Sequence, residues 1–226
     1  MNKKSVFLYI NAGFAHRYLL RSNIFQTLKK EKDLNLIILS HNANEPGFRE
    51  MYESDNVFVE LVEEDQYNNY LQTSKLLRIF IQIRAHVLNG SGEINTVTID
   101  DFRSIFIVQN GWILKNGLLN YLTGLLFVAA TEIFKHSKVL RNLLIHLEQR
   151  LFSPNVHQDL FKKYLPSLVI VTGLTGFLYN EFIAREAKRN NVKICNIVLS
   201  WDNTSGNGMP GYIPDYVIAW TDNMKD

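Results

Sequence analysis

"VFLYINAGFAHRYLLRSNIFQTLKKEKDLNLIILS" (residues 6–40) sets the architecture of this chain. Val6–Ile10 is an unbroken β-branched and aromatic run, with lysines just before it and Asn-Ala-Gly after it. Such a run, bounded by charges and turn formers, reads as a buried central strand. From Tyr18 to Lys30 the apolar residues Leu19, Leu20, Ile24, Phe25 and Leu28 gather on one helical face, and Lys29 and Lys30 close the last turn. "LNLIILS" (34–40) is then a second buried strand. Strand, helix and strand in this short interval form a βαβ unit, whose crossover favours a parallel sheet.

The same rhythm extends outward. "NVFVELV" (56–62) reads as a third strand, and the pattern resumes at Pro166. There "SLVIVTG" (167–173) is a strand, "FLYNEFIAREAKRNN" (177–191) a helix, "VKICNIVLS" (192–200) a strand and "DYVIAW" (215–220) another. The expected fold is α/β: one doubly wound, mostly parallel Rossmann-like domain over residues 1–226. Between its halves a helix is expected over Tyr67–Leu88, broken by "NGSGE" (89–93). "TVTIDDFRSIFIV" (96–108) has strand propensity at both ends and stays ambiguous. Leucine-rich sequence at about 110–152 reads as an extra helical segment inserted into the sheet or flanking it.

The 226 residues are 46% hydrophobic and 20% charged, enough to fill a core, and a net charge of +2 gives no footprint for nucleic acid. The single cysteine, Cys195, lies in the apolar run "ICNIVL", excludes an internal disulfide and fits a reducing compartment. The N-terminal segment has signal-peptide features, but Asn11 interrupts its apolar run and a strand fits better. "GLLNYLTGLLFVAATEIF" (117–134) carries Asn120, Thr123 and Glu132 and is short for a membrane span. It reads as a core helix, or as an apolar surface that settles on anionic lipid beside Lys115, Lys135, His136, Lys138 and Arg141. The histidines are scattered without ligand spacing, so no metal or cofactor is expected, and no Gly-x-Ser-x-Gly elbow occurs.

Ligands of open parallel sheets bind beyond the carboxyl ends of the strands. Three loops there carry candidates. "NAGFAHR" (11–17) offers Asn11, Gly13, His16 and Arg17. His16 is a candidate general base, since imidazole accepts a proton near neutral pH, or else a solvated histidine at a helix start. The loop matches neither GxGxxG nor a Walker P-loop, which weakens a nucleotide-dependent oxidoreductase. "TGLTGF" (172–177) offers Thr172 and Thr175, either aiming backbone N–H groups at an anion or making a tight turn with Thr175 as N-cap. Trp201, Asp202 and Asn203 follow the fifth strand. They are suited to stack on and hydrogen-bond a sugar, or to form an Asx turn under a core lid.

"SWDNTSGNGMPGYIPDYVIAWTDNMKD" (200–226) resembles the end of the N-terminal domain of bacterial GT-B glycosyltransferases that build surface polysaccharides such as capsule or lipopolysaccharide. The likeness rests on Ser200, Trp201, Asp202, Asn203, Gly208, Pro214, Asp215, Trp220, Met224 and Lys225. "KKYLPSLVIVTG" (162–173) with "EFIAREAKRNNVKI" (181–194), and "NAGFAHRYLLRSNIFQTLKK" (11–30), are similar in layout; the middle helices are not. The resemblance implies half of a GT-B fold, the acceptor-binding half of a transferase moving a sugar from a nucleotide-sugar to a polysaccharide or lipid-linked acceptor. It implies His16 as the catalytic histidine, with Asn11, Gly13, Arg17, Thr172, Thr175, Trp201, Asp202 and Asn203 binding substrate. The donor domain is absent from the chain, so the expected partners are a donor-binding domain or chain, the acceptor, and a peripheral contact at the cytoplasmic face of a membrane. The alternative is a non-catalytic or membrane-recruiting subunit of a bipartite transferase.

Overall fold

The computed structural model describes residues 3–11, 13–87, 126, 129–174, 178–198 and 208–219. Strand β1 (Lys4–Ile10) is flanked by β2 (Leu34–Ser40) and β3 (Val57–Leu61) on one side, and by β4 (Pro166–Thr172), β5 (Lys193–Ile197) and β6 (Tyr216–Ile218) on the other. The order is β3-β2-β1-β4-β5-β6, and every neighbouring pair is parallel. This is the doubly wound Rossmann-like sheet expected from the βαβ rhythm. Its order reverses between β1 and β4.

Alternation along β1 assigns the two faces of the sheet. Val6, Leu8 and Ile10 pack with Leu19, Leu20, Phe25, Phe48 and Tyr52, from the segment after β1, α1 (Asn23–Lys30) and α2 (Phe48–Tyr52). Phe7 and Tyr9 face the other way. They pack with residues of α3 (Glu64–Thr73), α4 (Lys75–Val87), α6 (Gln158–Tyr164) and α7 (Leu178–Arg189). Burying each of these large side chains stabilises the fold by about 1.5–3 kcal/mol. Edge strand β6 differs, with Tyr216, Val217 and Ile218 all exposed.

Two expected helices are divided, each at a serine. Over Tyr18–Lys30, a helical turn at Gly13–Ala15 runs into a π-helical turn at His16–Leu20, and α1 restarts only at Asn23. Ser22 does both jobs. Its hydroxyl donates to the Leu19 carbonyl at 3.0 Å and accepts from the Ile24 N–H at 3.2 Å, ending one turn and capping the next. Ser74 splits Tyr67–Leu88 in the same way, its Oγ accepting from the Leu77 N–H at 3.3 Å. Apolar periodicity ran through both breaks because a serine costs little in a pattern count.

The ambiguous stretch 96–108 and the chain end 220–226 lie outside the described residues, as does most of the middle segment. Of that segment, residues 129–136 are helical, and α5 (Lys138–Leu151) is capped by Ser137, whose Oγ accepts from the Leu140 N–H. Among the described residues no helix is long and apolar enough to cross a membrane.

Helix α5 is held to α4 and α7 by a buried ion cluster. Arg84 donates to Glu148, and to Glu181 at 3.0 and 2.6 Å; Arg185 donates to Glu148 at 2.6 Å and to Glu181 at 3.2 Å. All four side chains are buried. Burial disfavours the Arg84 charge, but Glu181 and Glu148 more than offset it. The same groups also grip a loop. Arg84 donates to Met209 O at 2.6 Å, Arg185 to Gly211 O at 3.1 Å, and the Gly211 N–H donates to Glu181 at 3.1 Å. Two charges of each sign leave the cluster neutral, with its donors spread over several acceptors, which offsets the desolvation of burying it.

Candidate functional site

The chain leaves β1 at Asn11, which is half-buried and whose Oδ1 has no hydrogen-bond partner. Gly13 opens the helical turn, and a Cβ there would meet nothing within 4 Å. His16 begins the π-helical turn. Such turns are rare and frequent at functional sites.

Two adjoining open clefts meet at this turn. The larger, about 640 Å³, is lined by Gly13, His16, Arg17, Tyr18, Arg21 and Ser22. The other, about 350 Å³, shares Gly13, His16 and Arg21 and continues along Asn42, Glu45, Pro46, Gly47, Phe48 and Met51. The second wall comes from the chain beyond β2, so both clefts sit at the carboxyl edge of β1 and β2.

The His16 ring is half-buried, and its Nε2 lies 2.7 Å from the Tyr52 hydroxyl. Tyr52 is itself buried against Phe25 and Phe48. Burial, then the positive charge of Arg21, push the His16 pKa below its ordinary value, while Glu45 pulls the other way. The net result is a neutral imidazole near pH 7. Arg17 is exposed, as is Arg21, and neither makes a side-chain hydrogen bond or ion pair with a described residue. Glu45, opposite, accepts from the Asn42 amide. The clefts thus offer two cations unpaired among the described residues, one carboxylate, one neutral imidazole and an apolar wall at Phe48 and Met51.

Of the three loops expected to converge, the first is the one whose candidate residues the described structure brings into a cleft. Gly13, His16 and Arg17 come together, and Asn11 lies just before them. Thr172 is buried and lines neither cleft; its carbonyl accepts from Asn180. Beside it Gly173 adopts a left-handed φ of 81° and its carbonyl accepts from Asn196. Thr175, Trp201, Asp202 and Asn203 lie outside the described residues. Sequence reasoning missed Arg21, Asn42, Glu45 and Tyr52. A signal existed in "SHNANEPG" (40–47), a polar run closed by Pro-Gly directly after a buried strand. Among the described residues no three His, Cys, Asp or Glu side chains gather as a metal site would require.

No protein-family model matches the chain, and no curated protein matches it. Among solved structures the chain is similar to the carbonyl reductase Sniffer of Caenorhabditis elegans, at 13% identity, with a TM-score of 0.28, over 91% of this chain and 88% of that one. At that score the likeness carries no argument about chemistry. The expected GT-B glycosyltransferase of polysaccharide biosynthesis is corrected, along with the bipartite-subunit alternative: no family model and no curated protein of that kind matches the chain, and this structural neighbour is named as a carbonyl reductase. Two of the described residues that carried the resemblance, Gly208 and Asp215, have structural duties. Gly208, at φ 75°, lets the chain pass against the backbone of Arg84 and Ala85, where a Cβ would collide. Asp215 accepts from the Ile194 N–H, Lys188 and Lys193, and so starts β6. Both residues serve the fold whatever the chain binds.

Proposed function

We propose that this domain binds a phosphorylated, hydroxyl-bearing small molecule of the nucleotide class in the paired clefts at the carboxyl edge of β1 and β2. One observation carries the reading: Arg17 and Arg21 project into a concave site without any acidic partner among the described residues. Charges of that kind are well suited to phosphate, which guanidinium groups hold through paired charge-assisted hydrogen bonds. Glu45 and Asn42 are acceptor and amide groups for ligand hydroxyls, and Phe48 with Met51 gives an apolar wall for a base. His16, neutral near pH 7, is the group able to accept a hydroxyl proton, with Gly13 beside it in both clefts. The mode of binding differs from that of the glycine-fingerprint dinucleotide domains, since "NAGFAHR" lacks their spacing. The same proposal sets the protein in the cytoplasm, a reducing compartment that suits the buried thiol of Cys195.

Calorimetric titration with purine and pyrimidine nucleoside diphosphates, the matching nucleosides and inorganic phosphate tests this. Binding that needs both the base and the phosphate, and is lost in Arg17→Ala/Arg21→Ala, supports the reading. Silence toward every diphosphate, or affinity indifferent to the two arginines, overturns it.

A further inference from the structure

Helix α5 turns two different faces to its surroundings. Inward, Leu144 and Ile145 are buried and Glu148 joins the ion cluster. Outward, Val139, Leu143, Leu147 and Leu151 recur every fourth residue and are 76%, 50%, 42% and 59% exposed. Beside this ridge runs a polar file at the preceding positions, Lys138, Asn142, His146 and Arg150, all exposed. The helix has one acid, Glu148, and it is buried. The exposed face therefore combines four aliphatic side chains with two fixed positive charges and no negative one. In the turn before α5, Ile133 is also exposed, near Lys135 and His136, both of which pair with Glu132.

We infer that the outward face of α5 is a docking surface for an anionic lipid membrane, with Leu143 and Leu147 entering the acyl boundary and Lys138 and Arg150 meeting lipid phosphates. The charge pattern selects this occupant. An interfacial helix combines apolar residues with Lys and Arg at headgroup level, and α5 sets Lys138 and Arg150 beside its apolar ridge with no exposed acid of its own to repel anionic lipid. The inner face of α5 is fixed to α4 and α7, so the helix lies flat against the surface and carries the whole domain with it. No spanning segment is needed. The inference is independent of the clefts, which belong to other elements.

Co-sedimentation of the whole chain with phosphatidylcholine vesicles, with and without phosphatidylglycerol, is the test. The chain is expected to bind only the phosphatidylglycerol vesicles, and less as salt rises. Lys138→Glu and Arg150→Glu are each expected to weaken partitioning by about five-fold or more, and Leu143→Glu/Leu147→Glu to abolish it. All these positions are exposed, so the variants should keep the parent's circular dichroism and melting temperature. Failure of the parent to bind anionic vesicles at low salt overturns the inference. So does binding that survives all four substitutions, or a dimer in vesicle-free solution that the leucine variant dissociates.

Discussion

Nε2 of His16 lies 2.7 Å from the hydroxyl of Tyr52, thirty-six residues further along the chain. The contact joins the turn after β1 to the helix after β2, and it occupies one ring nitrogen of the residue at the junction of the two clefts. Burial first, then Arg21, lower the His16 pKa from 6.5. Arg21→Ala should therefore raise it, and Glu45→Gln should lower it further. A histidine depressed in the folded state favours folding fully above its unfolded pKa, and that share is lost as pH falls through the lower folded value. Proton-detected imidazole titration reads all three shifts. A His16 that titrates above 6.5 in the parent would sink the assignment of a neutral ring.

Removing the Tyr52 hydroxyl tests the same contact by stability. Tyr52→Phe keeps the ring among Phe25 and Phe48 and deletes one partly buried hydrogen bond, at a cost of about 1 kcal/mol. Urea unfolding measures it. An unchanged midpoint would mean that water replaces the contact without loss.

The sheet was legible because parallel strands buried on both faces leave continuous apolar runs, and Val6–Ile10, Leu34–Ser40 and Leu168–Val171 are such runs. The turn at His16 was placed by the same topology. Arg21 and Glu45 escaped because each belongs to a cleft by virtue of a break, at Ser22 and at Pro46-Gly47, that apolar periodicity does not register. The misleading part was the chain's end. Gly208 and Asp215 look like part of a family motif in one dimension, yet their positions are demanded by a close backbone approach and by the start of β6.

Asp215 makes an acid-range prediction. Burial alone would raise its pKa, but hydrogen bonds from Lys188, the Ile194 N–H and Lys193 outweigh that and bring it down to about 2. Its contribution is thus complete above the unfolded value of about 3.9 and is lost as pH falls through about 2. Thermal melts between these limits should drop more steeply for the parent than for Asp215→Asn, which is destabilised at neutral pH. Parallel curves would show that the carboxylate is not preferentially stabilised in the fold.

Two glycines should respond in opposite ways to alanine. At Gly13 a Cβ meets open space and φ is ordinary, so Gly13→Ala should change stability by no more than about 0.5 kcal/mol. Gly208 has a left-handed φ and its Cβ would strike the Arg84 carbonyl and Ala85. Gly208→Ala should cost about 1–3 kcal/mol from backbone strain alone. Equal midpoints for the two variants in urea would refute the close approach.

The ion cluster of Arg84, Glu148, Glu181 and Arg185 yields the most demanding prediction. Replacing a buried ion pair with apolar side chains is often neutral, because both desolvation costs vanish together. Here it should not be neutral. Arg84 also donates to Met209 O, Arg185 to Phe152 O and Gly211 O, and Glu181 accepts the Gly211 N–H. Apolar replacement of Arg84, Arg185 or Glu181 strands backbone groups as well as removing charges. Glu148→Leu alone leaves two buried guanidinium groups short of an acceptor charge and should cost about 3–5 kcal/mol. Arg84→Met/Glu148→Leu should recover part of that loss, giving a coupling of about 0.5–3 kcal/mol, yet remain below the parent because Met209 O is left unpaired. Gly211→Ala should fail worst, since its Cβ would fall on Glu181, Arg185 and Arg84 together. A double-mutant cycle in urea, with amide exchange at Gly211 as the local readout, decides the matter. Additive losses, or a double variant as stable as the parent, would mean that the loop is held by packing and that the charges are incidental to it.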